Sequence, residues 1–376
     1  MQKYEGAMDR GLEGVVACST AVSSIIDATL FYRGFTIEDL AAHSSFEEVI
    51  FLLWNNRLPD KEELQVLQQN LLSNMSFSDA EILQLKALPV KEVHPMAWLR
   101  TAISVLALLD PKSQSTQKED QLFIRNALTG KMLSLVALFN CLRQGRDLLP
   151  IQKEYSMAWN FLNCLQGEEP TEEQTKVFDT CLILHADHSL NCSTFTARVT
   201  ASSLSDMYSS IVSAIGALKG PLHGGANEEV LKTLKDIGSV DNVEAWLKNA
   251  LANKYKIMGF GHRVYKNGDP RAKVLKSMSQ SLCEKSGNAH LFEMSNLLES
   301  LMKKEKNILP NVDFYSATVY YSLGITSDLF TPIFAASRIS GWLAHILEQW
   351  EDNRIYRPKG QWRGKAGQLW KPFDQR

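Results

Sequence analysis

Apolar residues recur at helical spacing through almost the whole of this chain, and that one property constrains the fold before any residue is given a task. Residues 36–56 carry Ile37, Leu40, Ala41, Val49, Ile50, Leu52, Leu53 and Trp54 at that period. The pattern breaks near His43–Ser45, which predicts two consecutive helices. Ser78 with Glu81, and Thr171 with Gln174, have capping-box spacing ahead of apolar runs, so helices are predicted to begin there. Long helices are predicted over 119–144, 171–190, 193–204, 206–219 and 328–352. Only residues 14–33, with Val15, Val16, Val22, Ile25, Ile26, Phe31 and Tyr32, read as strand. The expected fold class is mainly α.

At 376 residues the chain exceeds what one hydrophobic core ordinarily supports, so two domains are expected. Shorter, more charged helices fill residues 225–324, with Gly224–Gly225 at one edge and Gly324 at the other, where a hinge needs freely turning backbone. The expected division is a large domain of 1–224 plus 325–376 and a small domain of 225–324. The net charge of −2, from 40 basic and 42 acidic residues, carries no polyanion signature, so no nucleic acid is expected and an anionic ligand must be met by placed arginines. The six cysteines are scattered without a Cys-x-x-Cys pair, which suits free thiols in a reducing compartment. The first residues lack an apolar signal core and no apolar run reaches the roughly 18 residues that span a bilayer, so no membrane contact and a cytoplasmic location are expected.

Three segments carry site chemistry. Gly259–Tyr265, reading Gly-Phe-Gly-His-Arg-Val-Tyr and followed by Asp269-Pro270-Arg271, places His262 in a glycine-loosened loop. It lacks the third glycine and the lysine of a nucleotide-phosphate loop, so its glycines are expected to let main chain lie against a flat ligand. His223, between Gly220-Pro221 and Gly224-Gly225, precedes a helical run from Ala226; the positive end of that helix favours a neutral, hydrogen-bond-donating imidazole. Asp313 follows Pro310-Asn311 and either caps a helix beginning at Phe314 or faces a ligand. His185 and His188 lie one turn apart after Cys181, but the glutamate and spacing of helical zinc sites are missing. No metal is expected, and a buried histidine bonding a carbonyl is the simpler reading.

In order and spacing these segments resemble the citrate synthase family, in its shorter bacterial and archaeal form. The matching text runs from Gly11-Leu-Glu-Gly-Val15 and Tyr32-Arg-Gly34 through His94-Pro-Met96, His185-Ala-Asp-His188 and Ser193-Thr-Phe195. It continues with Gly220 to Asn227, Gly259 to Arg271, Asn311 to Ser316, Phe330 to Phe334, Ser337-Arg338 and Arg357-Pro358. The resemblance implies condensation of acetyl-CoA with oxaloacetate and hydrolysis of the citryl thioester, with acetyl-CoA as a substrate and no cofactor. It implies His223, His262 and Asp313 as catalytic residues: Asp313 the base, His223 the enolate donor and His262 the group that polarises the ketone. It further implies His188, Arg271, Arg338 and Arg357 as oxaloacetate ligands, and Ile257, Met258, Gly259, Phe260, Gly261, Lys266, Lys304 and Lys306 at CoA. The small domain would bring CoA and Asp313 to a large domain that dimerises and holds the oxaloacetate side. Because the family places the counterpart of Arg357 in a neighbouring subunit's site, a homodimer is the smallest expected assembly, with higher homo-oligomers open.

The chain departs from the family in three places. Ile25–Phe31 lacks the usual glycine turn, which predicts a distorted hairpin; Ser189 stands where Glu is common; and the tail is rich in tryptophan and basic residues, so Trp362 and Trp370 are expected to pack on a partner subunit. A 2-methylcitrate synthase using propionyl-CoA is the nearest alternative. A metallohydrolase built on His185, His188, His223 and Asp313, and a catalytically silent assembly protein, are the alternatives of other classes.

Overall fold

The computed structural model describes residues 10–262, 265 and 268–376, and among these the chain forms sixteen α-helices and one three-stranded antiparallel sheet. The sheet is a meander of β1 (Ser23–Ile26), β2 (Thr29–Tyr32) and β3 (Phe35–Thr36). The strand predicted over 14–33 is thus limited to its second half; Val15 and Val16 are exposed and outside any strand, because β-branched residues make a strand only where a neighbour completes the ladder. The hairpin is not distorted. Ser23 pairs with Tyr32 and Ile26 with Thr29, and the two-residue turn is made by Asp27 and Ala28 at φ of 49° and 63°, the left-handed values usually left to Asn-Gly.

Helices α1 (Ile37–His43) and α2 (Phe46–Asn55) are the consecutive pair expected over 36–56, and α2 opens with a Ser45–Glu48 capping box. α3 (Lys61–Ser73) opens with an Asp60–Glu63 box and α4 (Asp79–Lys86) with the expected Ser78–Glu81 box. α5 (Pro95–Leu109) and α6 (Lys118–Arg143) follow. α6 is long and apolar enough to cross a membrane, against the expectation that no run reaches that length, but 78% of its apolar window is buried inside the fold, as for a core helix. After α7 (Met157–Gln166), α8 (Glu172–His185) starts at the expected Thr171–Gln174 box but stops short of residue 190. The Tyr32 hydroxyl takes both the amide and the carbonyl of Asp187, at 3.0 and 2.7 Å, and withdraws them from the helical ladder.

α9 (Cys192–Ser202) and α10 (Met207–Leu218) lead to α11 (Ala226–Ile237), α12 (Val243–Ala252), α13 (Pro270–Lys285), α14 (Ala289–Lys306) and α15 (Val312–Ser322). The last helix, α16 (Phe330–Glu351), is buried around nearly its whole circumference and packs on α2, α6, α8, α9 and α10. Each large side chain it buries, such as Phe330, Ile339 and Trp342, contributes about 1.5–3 kcal/mol. At Gly341 a β-carbon would lie 2.5 Å from the Ala186 carbonyl oxygen, so only glycine lets α16 come this close to the turn that carries His188. All six cysteines are free.

Candidate active site

The turn after α8 is clasped from three elements. Tyr32 on β2 holds the Asp187 backbone, the Ser23 hydroxyl on β1 donates to Asp187 Oδ2 while accepting the Ser189 amide at 2.7 Å, and Arg338 on α16 donates from Nε to the His185 carbonyl at 2.6 Å. His185 itself turns into the core. Its Nδ1 lies 2.8 Å from the Cys181 carbonyl, its ring packs edge-on to Phe334, and burial drives its pKa down to about 3. His188 faces elsewhere: its Nε2 is 3.1 Å from the Tyr265 hydroxyl, and its ring meets His262 with centroids 5.0 Å apart. The two histidines do not share a site.

His223 lies just ahead of α11, and its tautomer follows from its partners. The Ser193 amide donates to His223 Nε2 at 3.2 Å, and the Ser193 hydroxyl sits 2.8 Å from the same atom. An amide can only donate, so Nε2 accepts and the neutral ring carries its hydrogen on Nδ1. Trp342 on α16 and Asn191 hold the Ser193 hydroxyl in turn, at 3.2 and 2.9 Å. The expectation of a neutral imidazole stands, but its main cause is burial, followed by the nearby Arg338 charge, which together lower the pKa to about 4.

The loop before His262 is built on glycine. Gly259 has φ of 80°, and a β-carbon there would lie 2.6 Å from Val230 Cγ2 and 2.9 Å from Phe314 Cδ2. Its carbonyl accepts the Asn311 amide at 2.9 Å, and the Gly261 carbonyl accepts Asn311 Nδ2 at 2.9 Å, which fastens this loop to the start of α15. The Tyr265 amide donates to His262 Nδ1 at 3.3 Å, so a neutral His262 carries its hydrogen on Nε2; burial and then Arg271 hold its pKa near 4, lowered to about 4 from the usual 6.5. Of the residues expected at CoA, Ile257, Met258, Gly259, Phe260 and Gly261 form this loop. Lys304 and Lys306 are exposed at the end of α14, close in sequence to Ile308, which faces Gly261. Lys266 lies outside the described residues.

Asp313 does not cap its helix. α15 begins at Val312, and the cap is Asn311, whose Oδ1 accepts the Asp313 amide at 3.1 Å; the Asp313 carboxylate is left to other work. Its Oδ1 is inaccessible to solvent and has no hydrogen-bond partner among the described residues, and burial raises its pKa from 3.8 to about 7 against the opposing pull of Arg271 and Arg338. Arg271 is buried in a fork with Asp269, Nε to Oδ1 at 3.0 Å and Nη2 to Oδ2 at 2.8 Å. Arg338 is also buried, which lowers its pKa to about 10, and lies 4.6 Å over the Phe334 ring. Arg338 acts on His188, His223 and Asp313, and Arg271 on His188, His262 and Asp313, so these side chains occupy one electrostatic neighbourhood. Arg357 is not brought there; it is exposed on the segment after α16.

A family profile described as "Citrate synthase, C-terminal domain" matches residues 11–359. The chain belongs to the citrate synthase family. It is 53% identical to citrate synthase 2 of Bacillus subtilis over 98% of this chain and 99% of that one, and 44% identical to the citrate synthase of Haloferax volcanii over 99% and 100%. A 2-methylcitrate synthase 2 of Corynebacterium glutamicum is 39% identical over 98% and 97%. Among solved structures, the citrate synthase of Pyrobaculum aerophilum superposes with a TM-score of 0.92 at 37% identity, covering 100% of this chain and 97% of that one. That of Thermoplasma acidophilum, a ternary complex with carboxymethyl coenzyme A and oxaloacetate, has a TM-score of 0.91 at 32% identity and covers 98% and 100%.

Beyond the residues expected of a citrate synthase, sequence reasoning assigned no task to Ser193, Tyr265, Ser23, Tyr32, Asp187 or His345, which hold the others in place. The available signal was polar residues interrupting strongly apolar elements, such as His345 within α16 and Asp187 after α8.

Proposed function

We propose that this chain condenses acetyl-CoA with oxaloacetate and then hydrolyses the citryl thioester. The observation that carries the reading is Asp313: a carboxylate with one oxygen buried and unpartnered among the described residues and a pKa raised to about 7, under the influence of the same Arg338 guanidinium that bears on the neutral His223 imidazole, whose hydrogen is on Nδ1. Asp313 takes a proton from the thioester methyl, and His223 donates from Nδ1 to the enolate oxygen as charge develops. His262 donates from Nε2 to the ketone oxygen of oxaloacetate, and Arg271, Arg338 and His188 receive its carboxylates. Arg357 completes that set from a second copy of the chain, which makes a homodimer the smallest catalyst. Residues 257–261, with Lys304 and Lys306, line CoA. The block of residues 225–324 closes on the remainder of the chain and excludes water until the carbon–carbon bond has formed.

Propionyl-CoA is the second substrate to try, because a 2-methylcitrate synthase stands among the relatives and one methylene is worth only about 1–3 kcal/mol of discrimination. The test is thiol release from acetyl-CoA and from propionyl-CoA, with and without oxaloacetate, in the presence of a chelator. Release that requires oxaloacetate supports the reading, and the ratio of the two rates assigns the acyl preference. Release independent of oxaloacetate, release abolished by the chelator, or no release from either thioester refutes it.

A further inference from the structure

Behind the oxaloacetate ligands lies a buried polar chain that the condensation chemistry does not use. Asp187 is fully buried and adjoins His188 in sequence. Its Oδ2 accepts the Ser23 hydroxyl and faces His345 Nε2 at 3.3 Å. Arg198 Nη1 stands 3.2 Å from His345 Nδ1, and a guanidinium can only donate. Nδ1 therefore accepts, the neutral ring carries its hydrogen on Nε2, and His345 donates to Asp187. Arg198 also donates from Nη1 to Glu348 Oε2 at 2.6 Å and from Nε to Gln349 Oε1 at 3.1 Å. Glu348 Oε1 accepts the Ala21 amide at 2.8 Å, so the strand side of the turn is tied in as well.

One end of this chain adjoins His188 and Arg338, and the other reaches Tyr356, the residue before Arg357. At one end burial would raise the Asp187 carboxyl, but His345 and Arg338 hold it below its ordinary value, so a full negative charge stands beside the Arg338 guanidinium. At the other end the Tyr356 hydroxyl donates to Gln349 Oε1 at 3.3 Å and the Tyr356 amide to Ser202 Oγ at 3.1 Å, immediately before the exposed Arg357. A core built for stability alone would fill this volume with apolar side chains, because buried charges recover little net free energy. A carboxylate, imidazole, guanidinium and carboxylate in series fix directions instead, since each bond is possible in one arrangement only.

We propose that Asp187, His345 and Arg198 are positioning residues for oxaloacetate: they orient His188 and Arg338 for the protomer's own site and set the departure of the arm that carries Arg357 to the partner's site. The inference rests on the condensing reading above. Removing one member leaves buried charged or polar atoms unpaired and lets the oxaloacetate ligands drift, while the thioester-binding loop on Gly259 and Gly261 has no bond to this chain among the described residues. Loss should therefore fall on oxaloacetate and not on the CoA thioester.

The test compares His345→Leu, which removes both bonds, with His345→Gln, whose amide donates from one atom and accepts at the other. Steady-state KM is measured for oxaloacetate and for acetyl-CoA, and oxaloacetate affinity is measured by calorimetry without thioester. His345→Leu is expected to raise the oxaloacetate KM and dissociation constant about ten- to a hundredfold, as loss of a buried hydrogen bond to a charged group implies, with the acetyl-CoA KM within about twofold of the parent. His345→Gln is expected to restore most of the difference. Equal rises in both KM values, an unchanged oxaloacetate affinity, or failure of glutamine to rescue would overturn the proposal. If His345→Leu does not fold, Arg198→Lys takes its place, with the same split in KM expected and the same outcomes fatal. Wild-type protein that binds oxaloacetate without releasing thiol would refute the condensing reading alone, and the calorimetric comparison would still decide this one.

Discussion

Replacing Asp313 with asparagine should abolish most activity and at the same time stabilise the protein, in a pH-dependent way. The carboxyl titrates near 7 in the folded chain and near its ordinary 3.8 when unfolded, so between those values the native state binds one more proton than the unfolded state. The wild-type protein consequently loses stability as pH rises through this window, by about 1.36 kcal/mol per pH unit, and the loss stops above about pH 7. Asparagine keeps the shape without the charge and escapes that penalty. From about pH 5.5 to about pH 8.5 the wild type crosses roughly 1.5 units of the window, about 2 kcal/mol, and solvent at this half-buried residue reduces the expected change to about 1–2 kcal/mol. Unfolding in urea at one protein concentration, for both proteins at both pH values, isolates the term, because all other titrating groups cancel in the difference. Turnover should fall about 10²–10⁴-fold through loss of the base. A stability difference between the two proteins that does not change with pH would show that Asp313 is not poised near neutrality, and an active Asp313→Asn protein would remove it from the mechanism.

Gly259→Ala combines a left-handed backbone with a β-carbon 2.6 Å from Val230; it is expected to cost about 2–4 kcal/mol in urea unfolding and, by displacing Phe314 beside Asp313, to lower turnover more than tenfold. Unchanged stability would contradict the packing described. Ala28→Gly relieves a φ of 63° in the β1–β2 turn and should stabilise the protein by up to about 1 kcal/mol, a gain that thermal unfolding can detect and that a lowered midpoint would disprove. Arg357→Ala and Asp313→Asn proteins, each nearly inactive, should together recover about a quarter of wild-type activity after co-refolding, since half the dimers are mixed and each holds one complete site. No recovery would mean that Arg357 does not act across subunits. Deleting residues 365–376, which contain the exposed Trp370 and follow the exposed Trp362, should lower the mass seen by light scattering if those tryptophans pack on a partner.

Much of this was open to reading because the informative signals are local. A capping box needs only a side chain and an amide three residues on, so Ser78 and Thr171 announced their helices without help from the rest of the fold. The glycines around His223 and His262 marked sharp turns for the same reason. The end of α8 was misjudged because the Tyr32 hydroxyl that stops it lies more than 150 residues away. The hairpin was expected to be distorted because Asp27 and Ala28 lack a glycine's freedom, yet pairing along the whole of β1 and β2 holds them in left-handed conformations that they would not adopt alone. Asp313 looked like a cap for a helix starting at Phe314, and Asn311 took that place two residues earlier than the pattern suggested.

The amino-acid sequence by itself determined the helical class, most helix starts and the family. All of these depend on residue type and short-range spacing. Only the tertiary structure decided which nitrogen of His223 carries the hydrogen, that Asp313 Oδ1 is unpartnered among the described residues and the carboxyl's proton affinity raised, and that Arg338 and Arg271 bear on the same cluster. Protonation and polarity are set by distance, burial and the direction of a bond. Those are properties of residues far apart in the chain, such as Ser193 with His223, or Ser23 and His345 with Asp187, and they exist only once the fold has brought the groups together.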